Sequence, residues 1–322
     1  MIGRMPAAGQ VARFRAGLVA LAPTGRVMLG VSGGPDSLAL LVLAHAARPG
    51  AVIAATVDHR LRRESRAEAR MVARVCERLG VPHAVLDVDV ADDPAGLQAA
   101  ARVARYDALA RHARDHDARF LATAHHLDDQ AETVLMRLAR GSGVTGLSGV
   151  RRIRPLERAP DIILIRPLLD WRKAELEEVA GAARLQPVRD PSNDDPRFDR
   201  TRVRTMLAQG WPRPERLAAV ADRLRDADDA LQWTVDQLVA ARVAKSDDSA
   251  TVDASGNLPR EYRRRLLLNA FSALVPGRIP RGDSVENLVD GLDRGEVGTL
   301  GGLRVDPGPP WRLTREGPRR TG

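Results

Sequence analysis

The stretch Ser32-Gly33-Gly34-Pro35-Asp36-Ser37 sets a glycine pair, two hydroxyls and one carboxylate between an apolar strand-like run and an apolar helix-like run. A strand, a glycine turn and a helix start leave backbone N–H groups at the positive end of a helix dipole, where an anion is held. Ser32 and Ser37 add hydroxyl donors, and Pro35 suits a first helical turn, whose N–H is expendable. The expected ligand is a phosphate, although an ordinary tight strand-to-helix turn has the same composition. It is not a Walker A loop: GxxxxGK[ST] requires a lysine, and the first lysine of the chain is Lys173. The same absence removes the strand lysine of protein kinases. A carboxylate beside a polyphosphate is repelled unless a cation lies between them, so Asp36 implies Mg²⁺ shared with phosphate oxygens.

A second group of chemistry-bearing residues lies in "TAHHLDDQAET", with His125, Asp128, Asp129 and Glu132. His125 and Asp129 are four apart and share a face of any helix that begins there. Clustered carboxylates can bind a second Mg²⁺ or receive a proton. Capping of a helix by Asp128 and burial of His125 as a packed core residue are the competing readings.

Elements that would position these residues follow from the hydropathy pattern. Apolar runs at Arg26–Val31, Val52–Asp58, His83–Val90, Arg119–Ala124 and Ile162–Ile165 read as strands. Helical patterns fall between them at about 36–47, 64–79, 97–115, 128–140 and 172–184. Such alternation with non-alternating, buried strands predicts an α/β fold: a parallel sheet with helices on both faces. Ligands of such sheets sit at the C-terminal ends of strands, where both groups above fall. "QPVRDPSNDDPRFDR" breaks the helical pattern and "GWPRPE" marks a boundary, giving domains 1–212 and 213–322. Leu217, Val220, Leu224, Leu231, Val235 and Leu238 then recur at helical spacing and predict one long helix packed by its stripe. The second domain is expected to be smaller and helix-rich, with helical or α+β character.

Composition bounds the function. The 322 residues carry 50 Lys and Arg against 42 Asp and Glu, a net charge of +8. That excess favours a polyanionic partner, with a generally arginine-rich composition as the plainer explanation. Only Lys173 and Lys245 are lysines, so the positive charge is almost all guanidinium, which suits phosphate forks and stacking. No apolar run reaches the ~18–20 residues of a membrane span, so no membrane partner is expected. Cys76 is the single cysteine, which removes a disulfide framework and any CxxC site and points to a reducing, cytoplasmic setting. It falls in a helical pattern and reads as core. Residues 1–25, free of acids, are read as a leading helix rather than a transit peptide, since cleavage near Ser32 would destroy the first strand.

The pattern SGGxDS resembles the signature of the PP-loop ATP pyrophosphatases, which cleave ATP between the α and β phosphates. The resemblance implies a Rossmann-like domain whose Ser32, Gly33, Gly34, Pro35, Asp36 and Ser37 grip the departing pyrophosphate. Four further blocks narrow it: "VDHRLRRES", "LQAAARVARY", "TAHHLDDQAETVLMRLARGSGVTGLSG" and "RDPSNDDPRFDRTRVR". In order over about 25–205, they resemble the tRNA(Ile)-lysidine synthetase family, which joins lysine to C2 of the wobble cytidine of an isoleucine tRNA with a CAU anticodon. The implied substrates are ATP, free L-lysine and that tRNA; monomer and homodimer both remain open. On this resemblance Asp58 and His59 lie by the nucleoside, and Asp36 and Asp128 hold Mg²⁺. Arg105 meets the charge on the α-phosphate, with a solvated arginine as the alternative. His125 and Asp129 serve the attack of the lysine amine, Asp129 orienting or deprotonating it; Arg200 and Arg204 contact RNA. The glycine-rich "RGSGVTGLSG" suits a closing loop or a linker. Thr201 stands where the family usually has Asn, and Arg312, Arg315, Arg319 and Arg320 give the second domain a basic end for tRNA. A tRNA thiolase is the alternative in the same superfamily, but one helical cysteine cannot supply a persulfide pair or an iron–sulfur cluster. An ATP-sensing module without chemistry would have dispensed with Asp58, Asp128 and Asp129, which are all present.

Overall fold

The computed structural model describes residues 3–60, 65–90, 96–188, 199–278 and 280–315. The chain divides into two compact units, Met1–Gly141 with Ser148–Asp222, and Ser142–Leu147 with Arg223–Gly322.

The first unit opens with α1 (Ala8–Leu21), followed by β1 (Val27–Gly30), α2 (Pro35–Ala47), β2 (Val52–Asp58), α3 (Ser65–Leu79) and β3 (His83–Asp87). It continues through α4 (Leu97–Asp115), β4 (Phe120–Ala122) and α5 (Leu127–Ala139). After the short α6 (Val144–Leu147), which belongs to the second unit, come β5 (Ile153–Leu156), β6 (Ala159–Ile165), α7 (Lys173–Ala182) and α8 (Asp199–Ala208). Every strand and helix read from the hydropathy pattern in this region is present, within a few residues at each end. The antiparallel β5 was not foreseen; Arg154 and Pro155 break its apolar pattern, and it pairs with β6 as a hairpin.

Burial explains why these runs are so apolar. Val27, Met28 and Leu29 of β1 have no exposed surface, as expected of a strand covered on both faces. Leu38 to Ala44 of α2 are equally buried, because the helix lies among β1, β2, α1 and α7 and is apolar all round. The sheet order is β3-β2-β1-β4-β6-β5, parallel except for β5. The connections leave β1 toward β2 and β3 on one side and return to β4 on the other. This reversal opens a crevice outside the C-terminal ends of β1 and β4, where ligands of such sheets bind. The loops Ser32–Ser37 and Thr123–Asp129 begin at those two ends.

The division between units falls within α9 (Pro214–Arg242), the single long helix expected from its stripe. Val235 of that stripe is fully packed, while Val220 stays 44 % exposed. The second unit then builds β7 (Val243–Lys245), β8 (Ser249–Val252), α10 (Arg260–Leu274), α11 (Gly282–Asp293), β9 (Gly298–Leu300), β10 (Leu303–Asp306) and β11 (Trp311–Arg315). Its strands form an antiparallel sheet in the order β7-β8-β11-β10-β9, whose core with α10 and α11 includes Leu267, Phe271, Val289, Trp311 and Leu313. Beside its helices, then, the second unit carries a whole sheet made of strands too short to stand out in sequence. Asp228 and Arg265 form a buried ion pair at 2.7 Å in this unit. The Thr145 hydroxyl donates to the same Asp228 oxygen at 2.7 Å, which fastens α6 there.

Candidate active site

The phosphate loop is built as its residue types demand. Gly33 has φ +88°, a conformation costly for a side chain, and a Cβ there would meet Met71 and Val72 at 3.3 and 3.4 Å. Pro35 is the first residue of α2 and Gly34 precedes it, so the amides of Asp36 and Ser37 have no intrahelical acceptor. Ser37 is turned inward. Its Oγ accepts from the Ser32 and Gly33 amides at 3.2 and 3.1 Å and donates to the Gly34 carbonyl at 3.0 Å. Ser37 therefore shapes the loop from within, and Ser32 is exposed.

Asp36 carries the site's most telling atom: its Oδ1 is buried and has no hydrogen-bond partner. The other oxygen lies 3.5 Å from His126 Nε2, which is also 3.5 Å from Asp129. His126 thus joins the loop after β1 to the block after β4. It is 2 % exposed; burial alone would lower its pKa, but Asp36, Asp129 and Asp128 together raise it. Sequence reasoning passed over His126, though its place as the second of two histidines at the end of an apolar strand was a usable signal.

The expected pairing of His125 with Asp129 on one helix face does not form. α5 begins at Leu127, and His126 is its N-cap, so His125 precedes the helix. The cap is reciprocal: the Asp129 amide donates to His126 Nδ1 at 3.3 Å, and the His126 amide donates to Asp129 at 3.1 Å. His125 instead bonds Thr123 at 3.0 Å, and burial with the charges of Arg166, Arg102 and Arg200 pushes its pKa down to about 3. It is a neutral imidazole across the physiological range. Asp128, expected to bind Mg²⁺, accepts from the Arg172 guanidinium (Nη2) at 3.0 Å and from the Lys173 amide at 2.7 Å, so its charge already has a protein partner in Arg172.

Arg200 and Arg204, expected to reach RNA, have partners inside the first unit. Glu132, 4 % exposed at its side chain, accepts from Arg200 Nε at 2.6 Å and Arg204 Nε at 2.7 Å, and Arg200 also bonds Asp129 at 3.0 Å. A buried carboxylate needs such partners, and these two arginines of α8 supply them. Neighbouring Thr201 lies in the same helix, while the motif residues 189–198 and Arg319 and Arg320 fall outside the described residues.

A second cluster forms at the end of β2. Asp58 is 1 % exposed; burial would raise its pKa, but bonds from the Ser65 hydroxyl (2.7 Å) and Arg60 amide (2.8 Å) bring it below its ordinary value. Its Oδ2 and His59 Nδ1 are both buried without a partner. Burial and the charge of Arg105 lower the pKa of His59. Helix α4 links the two clusters: Arg105 acts on His59 and Arg102 on His125. Cys76 is buried away from this chemistry, its thiol pushed up to about 12.

Comparison with known proteins identifies the family of the chain. The PP-loop domain family matches residues 9–210. The tRNA(Ile)-lysidine synthase of Novosphingobium aromaticivorans is 44% identical, the alignment covering 95% of this chain and 94% of the relative. That of Zymomonas mobilis is 37% identical over 94% and 92%. In fold, the chain resembles the U34-tRNA thiolase NcsA from Methanococcus maripaludis, with a TM-score of 0.55 and 21% identity over 67% of this chain and 77% of that one. A loop with no lysine, an aspartate at its helix start and near-complete coverage by such relatives lead to one conclusion: this chain belongs to the tRNA(Ile)-lysidine synthase family of PP-loop proteins.

Proposed function

We propose that the chain attaches lysine to C2 of the wobble cytidine of the isoleucine tRNA with a CAU anticodon, converting ATP to AMP and pyrophosphate. The observation that carries this reading is Asp36, whose unpartnered oxygen sits at the phosphate loop while His126 ties it to the carboxylates after β4. In the first step the cytidine C2 oxygen forms a bond to the α-phosphorus and the α–β bridge breaks, releasing pyrophosphate. In the second the lysine ε-amine bonds to C2, the C2–O bond breaks, AMP leaves and the amine proton is lost.

The amides at the start of α2 bind the departing pyrophosphate by the helix-terminus effect. Asp36 Oδ1 fits Mg²⁺, a hard cation that takes one or two protein carboxylates and completes its shell with phosphate and water. Among the described residues no group of three or more His, Cys, Asp or Glu is arranged to hold a metal ion. Bound there, Mg²⁺ would neutralise charge on the phosphates. Asp58 and His59 are assigned to the nucleoside and Arg105 to the α-phosphate. Asp129, fixed by Arg200 and by the cap of α5, orients the attacking amine. His125, being neutral, can accept or donate a hydrogen bond without adding charge. The second unit is assigned to tRNA docking. Thiolation is disfavoured because the single cysteine is buried with a raised pKa and cannot ligate a cluster alone. Among the described residues no helix is long and apolar enough to cross a membrane.

The test is incubation with ATP, Mg²⁺, labelled lysine and the CAU tRNA. ATP-dependent entry of label into RNA is the expected result; sulfur transfer, or ATP binding with no incorporation, refutes the assignment.

A further inference from the structure

A guanidinium without a carboxylate lies at the catalytic end of β6. Arg166 follows directly on Ile165, is 2 % exposed and interrupts the apolar run "IILIRPLL". Its Nη1 donates to the Arg151 carbonyl and the Tyr106 phenol bonds it, yet its buried Nε has no partner. Among the described residues no ion pair neutralises it. Arg102, one turn before Tyr106 on α4, holds its guanidinium 5.0 Å over the Tyr106 ring. Tyr106 therefore touches both cations, and both act on His125. Burial lowers the pKa of Arg166 to about 10, and Arg154 and Arg102 add to that effect while Tyr106 opposes it. Buried positive charge lacking an anion is costly, and a ligand that brings one recovers that cost.

Strand order indicates which anion. The phosphate loop stands on β1 and the Asp58–His59 cluster on β2, so the nucleotide occupies that side of the sheet. β6 lies on the far side of β4 from the phosphate loop, next to the strand whose C-terminal end carries His125 and the residues assigned to the amine. The substrate left for this side is the free amino acid, which brings one carboxylate.

We propose that Arg166 and Arg102 form the oxyanion subsite that takes the α-carboxylate of free lysine, leaving its ε-amine to reach the nucleobase. A planar guanidinium fork matches a carboxylate in two parallel hydrogen bonds, and the unused Nε supplies a donor for one of them. The inference rests on the lysine-ligating reading above and adds how the amino acid is recognised.

Steady-state kinetics with L-lysine and with lysinamide, in which the carboxylate is replaced by a neutral amide, test it on the full chain. Wild-type protein should prefer lysine by ~10- to 100-fold in kcat/KM, the range expected of a charge-assisted pair. Arg166→Gln and Arg102→Gln should each reduce that preference to within about threefold, through a higher KM for lysine. Because Arg102 is exposed, its variant decides the matter even if Arg166→Gln fails to fold. A preference retained in Arg102→Gln overturns the proposal. So does a defect confined to the KM for ATP or to tRNA affinity, which would assign the cations to phosphate. Wild-type protein that attaches no lysine refutes the parent reading; wild-type protein that attaches lysine and lysinamide equally refutes the subsite alone.

Discussion

Asp36 and His125 show how burial gives two titratable groups opposite duties. Asp36 keeps a buried oxygen without a partner, an arrangement that favours a cation. Asp36→Asn preserves shape and removes charge, so pyrophosphate release should fall at least ~100-fold, the scale of several kcal/mol of lost charge stabilisation. Release within threefold of wild type, measured with tRNA and Mg²⁺ saturating, would remove Asp36 from that role. His125 is held neutral, with a folded pKa of about 3 against ~6.5 when unfolded. Above pH ~6.5 it does not affect stability; below, the unfolded chain takes up a proton that the folded chain refuses. Stability should therefore drop by about 2 kcal/mol from this group between pH ~6.5 and ~5. Urea unfolding of His125→Gln should show a correspondingly shallower acid dependence, and an identical slope would contradict the assignment. In sequence, the loop and the acidic block were both readable because their chemistry is local. His126 and Arg166 were not, because their importance lies in partners distant in sequence: Asp36 for the one and Tyr106 for the other.

Helix α5 presents Glu132 and Asp129 to α8, and the ion pairs between them turn an arginine-rich, poorly apolar helix into an ordered element. None of the residues of α8 is buried, so little else holds it. Glu132→Gln leaves Arg200 and Arg204, both partly exposed, without their shared charge and should cost about 1–3 kcal/mol locally, the scale of charge-assisted hydrogen bonds lost. Hydrogen exchange should then accelerate selectively over 199–208, whereas uniform acceleration across the first unit would argue against a local clamp. Sequence reading assigned Arg200 and Arg204 to RNA and could not see these ion pairs, because nothing in the sequence places Glu132 beside them. The sheet was legible for the opposite reason. β1, β2 and β4 are apolar because both of their faces are covered, and this leaves a continuous signal. The strands of the second unit, three to five residues each, give too little alternation to detect.

Over the whole molecule, each unit has its own core and a buried tryptophan, Trp171 in the first and Trp311 in the second. With the exposed Trp211 and Trp233 replaced by Phe, fluorescence of the remaining two follows both units. Asp228→Asn leaves Arg265 buried with Glu261 as its remaining carboxylate, and should lower the stability of the second unit by about 3–5 kcal/mol. The Trp311 transition should shift to lower urea, and a shift in the Trp171 transition alone would contradict this. Thr145 bears on another process, synthesis on the ribosome. It is made 83 residues before Asp228, the acceptor of its hydroxyl. At ~5–20 residues per second, the segment after α5 emerges about 4–17 s ahead of the residue that fastens it. The nascent first unit thus carries, directly after α5, a short stretch whose acceptor has not yet been translated.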